Sequence, residues 1–230
     1  IKLYETVVLK DKNITLDLNE KTITAVAVDA FTVNTGAKLI LKNGTVSSHG
    51  AIVRAVGGEV VVESGTYTQT GTAVESDPVT NRYCIDSREK GKITINGGEF
   101  YSNNGMINVG SEVIINGGKF ENIVGKTMTR HFAYVSDKLT INGGEFLGKA
   151  NGSAGGCFFC GAAAGCDIQV TGGKFTSLWT SGSANRIFEV YFGGSINVTG
   201  GMFNTNGGIT SFVTENTDDA TKADYPYVAK

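Results

Sequence analysis

ITINGGEF at 93–100, VIINGGKF at 113–120, LTINGGEF at 139–146, IQVTGGKF at 168–175 and INVTGGMF at 196–203 are five near-copies of one phrase. Three weaker forms precede them: LDLNEKTI at 16–23, LILKNGTV at 39–46 and VVVESGTY at 60–67. Aligned on the second glycine or its equivalent, the phrase sits at positions 21, 44, 65, 98, 118, 144, 173 and 201. The steps between copies never fall below 20 residues and reach 33. A floor of that size with irregular excess marks a solenoid, in which one turn sets the minimum and loops add the rest.

Within each copy the period is two, which places Ile93 and Ile95 inward and Thr94 outward. The Gly-Gly pair then lets the chain bend before Phe100 turns inward. A first strand precedes each phrase, read at 31–34, 52–55, 83–86, 106–109, 132–135, 158–160, 188–192 and 211–214. Every repeat therefore has three strands, and repetition at one phase argues for parallel stacking over a series of hairpins. Stacking predicts an interior aromatic ladder of Phe100, Phe120, Phe146, Phe175 and Phe203, beside an aliphatic one of Ile95, Ile115, Ile141, Val170 and Val198. Asn96, Asn116 and Asn142 are expected to stack at the corner and bond one another, continued by Thr171 and Thr199. Eight coils at ~4.8 Å give a prism roughly 35–40 Å long.

Composition agrees with strands. Among 230 residues there are 32 Gly and only 2 Pro, with 25 Thr against 9 Leu, so collagen is excluded and β structure is favoured over long helices. The net charge is −2 and the basic residues are scattered, which leaves no stripe to bind nucleic acid. No apolar run approaches the ~20 residues that cross a bilayer. With neither a start Met nor a signal-peptide pattern, the chain reads as a segment of something longer.

The pattern resembles the right-handed parallel β-helix of the pectate-lyase-like superfamily over nearly the whole chain. The wording ITLDLNEKTIT at 14–24, followed by the INGGxF repeats, is similar to β-helix modules of bacteriophage head-fibre or capsid-decoration proteins and of Gram-positive surface proteins. The expected fold is all-β: a single-stranded right-handed parallel β-helix of about eight three-strand coils over 1–214, with 1–13 as lead-in or cap and 215–230 as C-terminal cap or linker. The resemblance implies a non-enzymatic structural or adhesive module on a virion surface or a bacterial cell surface. Its partners would be further copies in a trimer, capsid or surface proteins, or a bacterial-surface or mucosal glycan. The alternative is a protein that binds or degrades polysaccharide. No cofactor or metal is expected.

The variable stretches at 68–82, 121–130, 147–156 and 176–186 all follow the third strand, so they gather on one edge of the prism. Trp179, Arg130, His131, Asp77, Arg82 and Arg186 form the candidate binding edge there. Trp179 either stacks on a sugar or anchors a partner, or else folds back on the outside of the helix. Arg130-His131 and Asp77 with Arg82 read as solvated loop charge, and no catalytic role is assigned. Asn216-Thr217-Asp218-Asp219 lies after the last coil and Ser48-His49-Gly50 is isolated, so neither completes the two-carboxylate arrangement of glycoside hydrolysis. Cys84, Cys157, Cys160 and Cys166 are read first as small buried hydrophobes, next as containing a 160–166 disulfide, and last as a zinc site. Glu99 and Glu145 alternate with Lys119 and Lys174 as a charge ladder on a solvated face. Phe132-Ala133-Tyr134-Val135 and Ile187-Phe188-Glu189-Val190-Tyr191-Phe192 carry apolar residues on both faces, which suggests a covered wall. Phe132, Tyr134, Ile187 and Tyr191 are accordingly the expected assembly face.

Overall fold

The structure, a computed structural model, describes residues 1–71, 83–123, 131–149, 158–178, 187–190, 193–205 and 213–215. The described chain consists of strands and turns, gathered into three parallel sheets of nine, nine and eight strands. In each sheet the neighbour of a strand is the one three strands away in sequence. This is a right-handed parallel β-helix, with eight complete three-strand coils and one further strand at each end. Residues 1–13 belong to the lowest rung, because Lys2–Leu3 and Val7–Leu9 pair in parallel with Thr22–Ala25 and Phe31–Asn34. At the far end Val213–Glu215 pairs with Phe188–Val190, and 216–230 lies outside the described residues.

The register is the one set by the glycine alignment. Thr22, Thr45, Thr66, Glu99, Lys119, Glu145, Lys174 and Met202, each one residue after an anchor position, face one another in sequence along the third-strand wall. The next residue in each strand turns inward. Phe100, Phe120, Phe146, Phe175 and Phe203 stack with ring centroids 4.8–5.0 Å apart and nearly parallel planes. Tyr67 extends the ladder by one rung, 4.9 Å from Phe100, and donates its hydroxyl to the Ser64 carbonyl at 2.6 Å. Each such contact adds about 0.5–1.5 kcal/mol beyond area burial. Ile95, Ile115, Ile141, Val170 and Val198 form the neighbouring aliphatic column.

At the corner between second and third strands the amides connect as a directional chain. Asn116 Nδ2 donates to Asn96 Oδ1 at 2.8 Å, Asn142 Nδ2 to Asn116 Oδ1 at 2.9 Å, and Thr171 Oγ1 to Asn142 Oδ1 at 3.0 Å. Thr199 leaves the chain and donates to the Val170 carbonyl instead. The two glycines of the corner have different causes. A Cβ at Gly117 would sit 2.8 Å from the Asn96 carbonyl oxygen of the coil below. Gly118 has φ +104°, a conformation that L side chains rarely adopt.

The first strands begin one or two residues later than the sequence pattern predicts in five of the seven whose starts are described, with Ala133–Val135 in place of 132–135 as an example. Ile52, Cys84, Met106, Phe132, Phe158 and Ile187 lie in the turns leading in, and all are buried in the interior. The shift corrects the expected assembly face. Phe132 packs on Phe158 at 4.3 Å between ring centroids, and Ile187 belongs to the same core, so neither faces outward. From Ala133 and from Phe188 onward the alternation of inward and outward positions is regular, with Tyr134 and Glu189 outward. Tyr191 lies outside the described residues.

Gly118→Ala is expected to cost about 1–3 kcal/mol of stability through backbone strain. Phe120→Ala should cost about 3–5 kcal/mol through the cavity it leaves in the aromatic column. Both are read from urea unfolding against Thr94→Ala, an outward position expected to stay within about 0.5 kcal/mol of the wild type.

Candidate functional site

Chain length varies at one corner. First and second strands are joined by two to five residues and second and third strands by two to four, whereas the connection from third to first strand takes three to fifteen. The long connections leave the coil beside one another, as the sequence pattern predicts. Of the candidate binding edge, Asp77, Arg82, Arg130, Trp179 and Arg186 lie outside the described residues. His131 is described, at the start of the first-strand wall, where its ring meets Tyr134 at 6.1 Å between centroids.

Backbone that leaves the sheet ladder at this corner needs other partners. A polar interior column at the ends of the third strands supplies them: Ser48, Gln69, Ser102, Asn122, Gly148 and Ser177 occupy one register position on successive coils. The phase carries over to Gly148 because Phe120 and Phe146, two residues earlier, are paired. Ser48 Oγ donates to the Val28 carbonyl at 2.9 Å and Asn122 Nδ2 to the Asn104 carbonyl at 3.1 Å. Ser102 Oγ lies 2.5 Å from Gln69 Oε1 and accepts the Asn104 N–H at 3.0 Å.

The outward row of the first-strand wall holds charge that is buried. Thr32, Arg54, Asp86, Asn108, Tyr134, Cys160 and Glu189 follow one another coil by coil. Outward side chains on a bare wall would be solvated, yet Asp86 and Glu189 are each 1% exposed. Asp86 accepts from Arg54 Nε at 3.1 Å, from Arg88 Nε at 2.9 Å and from Asn108 Nδ2 at 2.7 Å. Arg54 also reaches Asp29 through Nη1 at 3.4 Å, while Asp29 Oδ1 takes the Ala51 N–H at 2.8 Å. One guanidinium thus ties two buried carboxylates from turns and strands two coils apart, and Arg88 adds a second positive charge. The arrangement holds Asp86 as a saturated acceptor, which suits positioning of the wall better than proton transfer.

A second group lies on the outside of the third-strand wall. Partial burial would raise the Glu121 carboxyl, but the Lys149 and Lys119 ammoniums outweigh it and hold it below the usual carboxylate range. Lys149 Nζ is 2.5 Å and Lys119 Nζ 3.4 Å from that carboxylate. The hydrogen bond to Glu99 raises the Tyr101 hydroxyl, and Lys119 lies 5.6 Å over the Tyr101 ring. The expected alternation Glu99, Lys119, Glu145, Lys174 is present in register. A longer one runs along the second-strand wall: Lys38, Glu59, Lys92, Glu112, Lys138 and Asp167.

Cys84 and Cys166 are buried free thiols and Cys160 is buried too, so the 160–166 disulfide is not formed. Burial pushes the Cys84 and Cys166 thiols up, away from the reactive thiolate. Among the described residues no three His, Cys, Asp or Glu side chains gather as a metal site. Cys157 lies outside the described residues.

The chain matches no family model, no curated protein and no solved structure. The buried Asp29–Arg54–Asp86 group escaped the sequence reading because the first-strand wall was read only at its apolar strands. Its signal was available: Arg54, Asp86 and Asn108 share one phase once the first strands are aligned.

Arg54→Met should destabilise the protein by about 3 kcal/mol, since it leaves buried carboxylate without its charge partner. Chemical denaturation checks this, with Arg54→Lys recovering only part of the loss because an ammonium cannot span both acceptors as a planar fork. Lys149→Met is expected to move the Glu121 midpoint upward in an NMR titration. The depressed carboxyl favours the folded state above the ordinary glutamate range, and that contribution fades as pH falls through the folded midpoint.

Proposed function

We propose that this chain is a structural and adhesive module of a larger assembly: a stiff β-helical shaft that presents a row of variable loops along one corner. The observation that carries the reading is the concentration of length variation at the third-to-first corner, while the other two corners stay short and the second-to-third corner is backed by an amide ladder. A scaffold whose register is fixed on every wall tolerates sequence change in those loops without change of fold. The sequence resemblance to phage head-fibre and capsid-decoration modules and to bacterial surface proteins points to a virion or cell surface as the setting. Self-association, as in a trimer, would use the loop edge and the exposed part of the first-strand wall, since Phe132 and Ile187 are interior.

A second reading, a polysaccharide-binding or polysaccharide-degrading β-helix, is favoured by the half-buried Asn108 and Tyr134 on adjacent rungs with His131 beside them. Planar polar groups and an aromatic ring on adjacent rungs are groups suited to sugar recognition.

Light scattering and binding to purified bacterial-surface and mucosal glycans, on the intact protein and on one with 72–82 shortened, test the proposal. Expected are an unchanged β-sheet spectrum in the shortened protein and loss of self-association or glycan binding. Self-association and glycan binding that both survive the shortening would contradict the display role of that loop. Release of shorter glycan products by the intact protein would overturn the non-enzymatic reading.

A further inference from the structure

The polar interior column is interrupted at one place. Asn122, Gly148 and Ser177 hold the same register position on three successive coils, and the middle one has no side chain. On either side of that gap stands a buried polar atom without a hydrogen-bond partner, Asn122 Oδ1 below and Ser177 Oγ above. Asn122 uses its Nδ2 on the Asn104 carbonyl, which leaves its oxygen as a bare acceptor. At ~4.8 Å per rung, the Cα atoms of Asn122 and Ser177 stand about 10 Å apart, and Gly148 puts nothing between them. Where both rungs carry side chains the column can join directly, as Ser102 Oγ does with Gln69 Oε1.

Buried acceptors and hydroxyls are rarely left unbonded, because the loss on desolvation is not regained. An acceptor and a hydroxyl facing the same rung offer the polar partners that an interior water needs, whereas an apolar gap stays dry. We propose that the solenoid binds one or two water molecules at the Gly148 rung, where they receive Asn122 Oδ1 and Ser177 Oγ as partners and complete the polar column beneath the loop corner. Gly148 lies in the extended strand Glu145–Gly148, so its backbone accepts a side chain.

A crystal structure at a resolution that shows ordered solvent, taken for the wild type and for Gly148→Ser, tests the site directly. Expected is solvent density within hydrogen-bonding distance of Asn122 Oδ1 and Ser177 Oγ in the wild type, replaced by the serine hydroxyl in the variant. Chain atoms bonded to both groups, or a dry gap, would overturn the proposal, and the wild-type density decides this even if the variant fails to fold. Thermal unfolding of Gly148→Ser and Gly148→Ala supplies the second arm. The two share the backbone effect of replacing glycine, so their difference isolates the hydroxyl, and the serine variant should melt roughly 2–4 °C above the alanine variant. An alanine variant that melts at or above the serine one would contradict a water-filled site.

Discussion

Each residue in a coil lies over its equivalent one coil away, at the ~4.8 Å spacing of parallel strands. This in-register stacking selects side chains by whether they tolerate a copy of themselves as neighbour. Aromatic rings do, and the run from Tyr67 to Phe203 forms an unbroken column through six coils. Carboxamides do, since each carries both a donor and an acceptor, and the Asn96–Asn116–Asn142 chain uses one of each per step. Charges do not. Like charges stacked on adjacent strands repel, and both exposed walls answer with strict alternation, Glu99–Lys119–Glu145–Lys174 on one and Lys38 through Asp167 on the other. A slip by one coil would oppose like charges along both walls, so alternation also guards the register.

The same spacing accounts for the glycines at the corner. Backbone from one coil passes so close to the next that the first glycine of each pair has no room for a Cβ, and the second is required by its positive φ. Where the chain leaves the stack, at the third-to-first corner, there is no equivalent to lie upon, and two features appear only there. One is the interior polar column that bonds turn backbone. The other is the freedom of the connections to grow to fifteen residues. Rigid walls and a variable corner are two consequences of one constraint, which is why a display role fits this chain.

Much of the architecture was legible because a solenoid repeats its reasons. The phrase INGGxF fixes the phase of the second and third strands, the corner and both interior ladders, and all of these stand where the pattern puts them. The first strands were less legible. Their lead-in residues, such as Phe132 and Ile187, are apolar because they turn into the core before the strand begins, and a linear pattern assigns such residues to the strand itself. Tyr67 went unplaced in the ladder because its repeat, VVVESGTY, departs from the consensus. The Asp29–Arg54–Asp86 group joins a turn residue to strands on later coils, and nothing in local spacing announces two ion pairs that share Arg54 and reach 25 residues back to Asp29 and 32 forward to Asp86. Of the candidate binding edge, the sequence located the corner from loop lengths, while the chemistry of its longest connections lies outside the described residues.

The central claim, that position along the molecule follows coil number and not sequence separation, is tested most directly by distances between spin labels on the outside of the second-strand wall. Ile40, Thr140 and Asn197 share one register row, with Thr140 four coils and Asn197 six coils from Ile40. Labels at 40 and 140 should lie about 19 Å apart and labels at 40 and 197 about 29 Å, a constant rise per coil. Distances that fail to grow in proportion to coil number would contradict in-register stacking.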